Sequence, residues 1–245
     1  MSQHNNKSRI LFWDIETYGM NFNADAGFIM VISYKWQGED KVHTITRKNP
    51  GKWSRRLFDD KEICRAFAKI LEQADLHVTW NGTRFDVPFL QTRMLKHRLG
   101  YLPPIPHEDG LRTARRSLKM RRSLDNVQKF FELGTKKEDM NLTKVWMPAA
   151  MGDPVALKQV IRRCESDVKL LEEAYDLLAP LSTVHPNVGM IEGRPDGCPL
   201  CGVEGFLQRR GRIQALRHYR HRYQCTKCGR WSTSKPVKTT KGGTI

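Results

Sequence analysis

The chain has 245 residues, with 42 Lys/Arg against 26 Asp/Glu, a net charge of +16 and 39% hydrophobic residues. That length holds one domain of moderate size plus a small appendage, and a field of that sign attracts polyanions, nucleic acid before a membrane surface. No apolar run reaches the ~18 residues that span a bilayer, the N-terminal stretch lacks a signal-peptide core, and six cysteines, four in metal-type pairs, imply a reducing, cytoplasmic setting with no membrane partner.

In chain order, Arg9 to Ile15 is an apolar run that reads as a buried strand. Phe28 to Trp36 and Lys41 to Thr46 read as two more, joined by the short hairpin turn Gln37-Gly38-Glu39-Asp40. Asp59 to Glu62 opens an amphipathic helix to about Ala74, with acid at its positive end. Leu76 to Trp80 is a short strand ended by Asn81-Gly82. Pro88 suits the first turn of a helix to about Leu99. His107 to Leu111 reads as a short edge strand, and Ser123 to Leu133 as a helix ended by Gly134. Asp153-Pro154 is a cap and first turn for a long element with an apolar stripe (Leu157, Val160, Ile161, Cys164, Val168, Leu171), read as one helix or two. Cys64 and Cys164 fall in helices as small core residues. The Pro- and Gly-bearing segment 181–197 reads as a linker. It separates a domain over 1–180 from a module over 198–245. The order of elements predicts an α/β layer fold in which an antiparallel hairpin joins parallel strands.

Asp14 and Glu16 fall two apart in Phe12-Trp13-Asp14-Ile15-Glu16-Thr17. If the strand continues, both point to one face, where two like charges need a compensating cation. If it stops at Trp13, both lie in a solvated loop. Asp86 precedes a helix, which suits either catalysis or simple helix-end electrostatics. Asp167 adjoins the apolar stripe of the long helix, as an inward acid with a partner or a solvated one.

The C-terminal segment carries Cys198-Pro199-Leu200-Cys201-Gly202 and Cys225-Thr226-Lys227-Cys228-Gly229, a spacing that lets four thiolates meet on one tetrahedral Zn²⁺. Residues 191–245 hold 12 Lys/Arg against 3 Asp/Glu. Between the pairs, Arg209, Arg210, Arg212, Arg217, Tyr219, Arg220 and Arg222 combine phosphate-binding cations with rings that stack on bases. The other reading of this run is a solubilising face. Trp53 with Lys52, Arg55 and Arg56, and the run Arg112 to Arg122, read equally as backbone contacts or as solvated surface.

Three strings taken together, Asp14-Ile15-Glu16-Thr17, Asn81-Gly82-Thr83-Arg84-Phe85-Asp86-Val87-Pro88-Phe89-Leu90 and Cys164-Glu165-Ser166-Asp167-Val168, resemble the DEDD (DnaQ-like) 3′–5′ exonuclease family over roughly residues 9–179. Ser123-Leu124-Asp125-Asn126-Val127 and Lys136-Lys137 resemble its branch allied to family B polymerase proofreading domains. Cys198 to Cys228 resembles a zinc ribbon. The resemblance implies a ribonuclease-H-like mixed sheet flanked by helices, plus a small zinc-ribbon β module. It implies that Asp14, Glu16, Asp86 and Asp167 hold two Mg²⁺ or Mn²⁺ ions for phosphodiester hydrolysis, with Zn²⁺ structural and nucleic acid, DNA favoured, as substrate. The chain departs from the family at Arg162 and Arg163, which stand where its exonucleases carry His or Tyr. Arginine stays protonated and is no general base. Arg163, one turn before Asp167, either contacts the scissile phosphate or lies on a solvated face, and His107 and His185 are the alternative bases. Three functions follow: a 3′–5′ exonuclease, a structure-selective endonuclease on the same fold, or a degenerate, regulatory nucleic-acid-binding protein.

Overall fold

The computed structural model describes residues 7–19, 23–46, 58–135, 142–215 and 217–238, with side chains left out at 142 and 143. The readings at Lys52, Trp53, Arg55 and Arg56, at Lys136 and Lys137, and in the tail from 239 lie outside these residues. The chain divides into two compact units, Arg9–Leu178 and a second that runs from Ala179 onward and takes in Ser8.

The first unit is built on β1 (Ile10–Gly19), β2 (Gly27–Trp36), β3 (His43–Thr46), β4 (Leu76–Thr79) and β5 (His107–Asp109), in one sheet of order β3-β2-β1-β4-β5. The first three strands are antiparallel, and β4 and β5 extend the sheet in parallel. This is the mixed sheet flanked by helices that the element order predicts. Strand β1 is central and runs through both acids to Gly19, so the solvated-loop alternative for Asp14 and Glu16 does not hold. Its odd residues Leu11, Trp13 and Ile15 enter a core with Ile63, Phe67, Phe89 and Leu90, which come from α1 (Lys61–Leu71) and α2 (Asp86–Lys96). Its even residues face the other layer. There Phe12 meets Tyr175 edge-on at 5.2 Å, within α6 (Pro154–Leu178).

Helix α6 is one unbroken element of 25 residues and buries Leu157, Val160, Cys164, Val168 and Leu171. Both Cys64 and Cys164 are fully buried. Two helices of this unit were not legible in the sequence. The strand expected over His107–Leu111 ends at Asp109, whose side chain accepts the Leu111 amide and caps α3 (Gly110–Ser117). After α4 (Leu124–Phe131), capped by Ser123, comes α5 (Leu142–Ala150), which contains Pro148.

One buried ion pair ties α1, α2 and β2 together. Asp60 and Arg93 are 0% and 1% exposed, and both guanidinium contacts, Nε to Oδ2 and Nη2 to Oδ1, measure 2.8 Å. The Ile29 amide and His97 add further bonds to the same carboxylate. Burial alone would raise the Asp60 pKa, but these partners hold it below the usual carboxylate value. Arg93→Met strands that carboxylate, so it should cost about 3–5 kcal/mol in urea unfolding, and the double variant Asp60→Asn/Arg93→Met should recover most of the loss.

The second unit holds a single-turn helix, α7 (Val188–Ile191), and a sheet of β6 (Leu207–Gln214), β7 (His218–Cys225), β8 (Trp231–Thr233) and β9 (Val237–Lys238), with β7 paired to the other three. Within segment 181–197, Val188 is buried and its amide donates to the Pro199 carbonyl at 2.8 Å. No helix among the described residues is long and apolar enough to cross a membrane.

Candidate active site and metal centres

Asp14 and Glu16 project from the same face of β1, just before a bulge between Glu16 and Thr17. Asp167 reaches them from α6 and is 7% exposed, so it is not a solvated helix acid. One oxygen from each of Asp14, Glu16 and Asp167 lies within 4.8 Å of the other two. At an effective dielectric of ~20, each ionised pair at that spacing repels by roughly 3.5 kcal/mol or more. The Arg163 guanidinium offsets part of this. Its Nε stands 3.4 Å from Glu16 Oε1, and the side chain is 19% exposed, so Arg163 faces the acids. Arg162 is exposed. The Cys164 thiol, held protonated by burial, donates toward the Asp14 carbonyl and Oδ2 at 3.5 and 3.7 Å.

Asp86 is not one of these three. It is the first residue of α2, 2% exposed, and its Oδ1 accepts the amide of Ile15, the residue between the two strand acids, at 3.2 Å. Burial, with a smaller push from Asp109, raises its pKa to about 7. The loop that delivers Asp86 is held from β5. Asp109 accepts the Asn81 and Thr83 amides at 2.9 and 3.1 Å. Asn81 takes a left-handed conformation, φ 71°. A Cβ at Gly82 would fall 2.1 Å from Thr79 Oγ1, so only glycine fits there. The Asn81-Gly82 pair is therefore a requirement of the turn that positions Asp86.

A cleft of about 540 Å³ opens beside the acids, lined by Asp14 and Asp167 on one side and by Arg115, Arg122, Trp80, Asn81 and Ser123 among others. The Trp80 indole is fixed by a bond to the Arg122 carbonyl at 3.2 Å. Arg115 and Arg122 fall unsorted within the basic run Arg112–Arg122, Trp80 falls at a strand end, and Asp109 falls inside the edge-strand stretch His107–Leu111 with no role of its own. Nothing in their spacing marks them out, because helix α3 and the turn after it create the wall. His107 does not line this cleft. Its ring stacks on His77 at 4.2 Å and bonds Thr79, and burial lowers its pKa to about 4. His185 belongs to the second unit, where its Nδ1 lies 2.6 Å from the Pro186 carbonyl.

In the second unit the four cysteine sulfurs converge within 4.8 Å. Cys198 and Cys228 sulfurs are 3.6 Å apart, and those of Cys201 and Cys225 are 3.8 Å apart. Four thiolates at ~2.3 Å from a tetrahedral Zn²⁺ stand about 3.8 Å from one another, so the set fits that ion and not a pair of disulfides. Both knuckles close alike: Gly202 and Gly229 donate to the Cys198 and Cys225 carbonyls at 2.8 and 2.9 Å, at φ values of 66° and 75°. The acid cluster offers oxygen alone, which fits hard divalent cations such as Mg²⁺ or Mn²⁺. Of the basic-run residues, Arg209, Arg210 and Arg212 lie on β6, Tyr219, Arg220 and Arg222 on β7, and Arg217 just before it.

The RNase_H_2 family of the RNase_H superfamily matches residues 11–179. The chain belongs to this superfamily, in agreement with the five-stranded sheet and its flanking helices. No curated protein matches the sequence. Among solved structures, the family B DNA polymerase of the hyperthermophilic archaeon Pyrobaculum calidifontis is similar, with a TM-score of 0.55 and 17% identity. That alignment covers 86% of this chain and 31% of the polymerase.

The buried Asp86 gives a pH test of this geometry in metal-free acid sites. A carboxyl raised from 3.8 to about 7 contributes stability below pH 3.8 that is lost as pH rises through 7. Asp86→Asn keeps an acceptor for the Ile15 amide but does not ionise. Its thermal midpoint relative to wild type should climb from pH 4 to pH 7 and level off above. A difference that does not change with pH would contradict the burial of a titrating group.

Proposed function

We propose that the protein is a metal-dependent nuclease that hydrolyses phosphodiester bonds of nucleic acid, acting as a 3′–5′ exonuclease. The observation that carries this reading is the convergence of Asp14, Glu16 and Asp167 within 4.8 Å in a chain of the RNase_H superfamily. DNA is the substrate placed first, on the resemblance to proofreading exonucleases.

In this reading Asp14, Glu16 and Asp167 hold the divalent ions, with Asp14 central and Asp86 the fourth acid of the set. Such ions, when bound, activate a water and neutralise the leaving oxygen. The chain's own residues do the rest. Asp86 fixes the Ile15 peptide and so the spacing of the strand acids. Arg115 and Arg122, on the cleft wall, attract substrate phosphates, and Trp80 offers a ring to a base. Arg163 stays cationic and stabilises charge that develops on the scissile phosphate. The Cys198, Cys201, Cys225 and Cys228 site holds structural zinc, and Arg209, Arg210, Arg212, Arg217, Tyr219, Arg220 and Arg222 give that unit its hold on nucleic acid.

Product mapping tests the reaction. With Mg²⁺ or Mn²⁺, a 5′-labelled linear strand should shorten stepwise, while a 3′-blocked or circular one persists, and Asp14→Asn should abolish the reaction while leaving the fold intact. Cutting of the circle would assign the endonuclease alternative. Normal turnover by Asp14→Asn would remove the proposed centre.

A second reading has its own observation. The Arg163–Glu16 contact sets a permanent cation against one of the acids proposed to hold metal and where the family carries a His or Tyr, as a degenerate, regulatory binding protein would tolerate. In that case wild type should be nearly inactive and Arg163→Tyr should gain activity. A fast wild type with no gain from tyrosine would exclude it.

A further inference from the structure

The sheet of the second unit has two faces of different chemistry. Side chains alternate along a strand, and directly paired residues of neighbouring strands share a face. On β7, Tyr219, His221 and Tyr223 therefore stand on one face, with ring centroids following each other at 5.2 and 6.4 Å. Strand β6 pairs Arg209 with Tyr223 and Arg212 with His221. Residues 209 and 212 are three apart and in a regular strand would face opposite ways. The irregularity between them inserts one extra residue and brings both arginines onto the aromatic face. Arg212 lies 4.7 Å from the Tyr219 ring. Arg220, Arg222 and Trp231 occupy the opposite face, with Arg222 5.8 Å from the Trp231 ring.

Residues 205–245 contain 11 Lys/Arg and no Asp or Glu. Four thiolates around one divalent ion would offset only two of those charges, which leaves a strongly cationic unit that attracts a polyanion. An acidic peptide would match the cations but leaves a row of three rings without purpose. A duplex presents phosphates but keeps its base faces stacked inside. A single strand presents both phosphates and open base faces.

We infer that the Tyr219–His221–Tyr223 face binds single-stranded nucleic acid, with bases against the rings and phosphates at Arg209 and Arg212. The inference rests on the proposed capture of nucleic acid by this unit and narrows it to one face, which leaves Arg220 and Arg222 outside the contact, and to one form of the polymer. Stacking on rings tolerates any base, so binding is indifferent to sequence.

The test uses full-length protein without added magnesium and without chelator, so that the cysteine site keeps its metal. Fluorescence anisotropy compares a labelled oligothymidylate with a duplex of equal length. Tyr219→Leu and Tyr223→Leu, with zinc content unchanged, should each weaken single-strand binding about fivefold or more and hardly alter duplex binding. Tyr223→Phe, which keeps the ring, and Trp231→Leu, on the other face, should bind as wild type does. Tyrosine variants that bind the single strand normally, or a loss that follows Trp231 instead, would overturn the inference. If only Arg209→Gln and Arg212→Gln weaken binding, equally for both polymers, capture stands and stacking falls. If wild type and a variant lacking this unit's cysteines bind alike, capture itself falls. Photocrosslinking of wild type to a bromodeoxyuridine strand answers without any variant: adducts on 218–225 support the face, and adducts confined to the first unit contradict it.

Discussion

Three carboxylates are held together between the central strand of the sheet and the longest helix, and much of the first unit serves that contact. Asp14 and Glu16 share a face because β1 runs through them, and Asp167 meets them because α6 crosses that face. Each ionised pair repels by an amount comparable to the benefit of burying one or two large apolar side chains. The fold carries that cost through Leu11, Trp13 and Ile15 on one side of β1 and Val160, Val168 and Leu171 on the other.

Rigid supports surround the acids. The Asp60–Arg93 pair locks α1 to α2 and so fixes the helix that begins at Asp86. Asp109 ties the Asn81–Thr83 turn to β5 while capping α3, so one carboxylate sets the position of both the loop that leads to Asp86 and the arginine-bearing wall of the cleft. Lys35 on β2 is paired with Glu172 on α6, a further tie across the acid-bearing layer. In the second unit the four cysteine sulfurs converge within 4.8 Å. Among the described residues of its sheet, only Cys225 is buried. Within the same unit, Arg230 donates to the carbonyls of Ala179 and Pro180.

The sheet and the acids were legible because their signals are local. Period-two alternation puts Asp14 and Glu16 on one face if the strand continues, Asn81-Gly82 ends the strand before Asp86, the 3.6-residue stripe carries α6, and the resemblance groups the acids. Paired Cys-x-x-Cys knuckles, each followed by glycine, forecast the convergence of four thiols. Helices α3 and α5 were not legible. Helix α3 has five exposed or polar positions among its eight residues and starts only because Asp109 caps it. Helix α5 contains Pro148, which speaks against a helix when read in isolation. The cleft wall of Trp80, Arg115 and Arg122 depends on those placements, as do the two faces of the basic sheet, whose arginines are sorted by a one-residue irregularity that no alternation pattern contains. The isolation of Arg162 and the inward turn of Arg163 also needed the helix phase relative to β1.

The account stands on the acid cluster being a cation site. Manganese binding followed by electron paramagnetic resonance, on full-length protein already loaded with zinc, measures this without any substrate. The account predicts saturable Mn²⁺ binding that Mg²⁺ displaces and that Asp14→Asn weakens severely. Binding that is absent, or identical in wild type and Asp14→Asn, would contradict it.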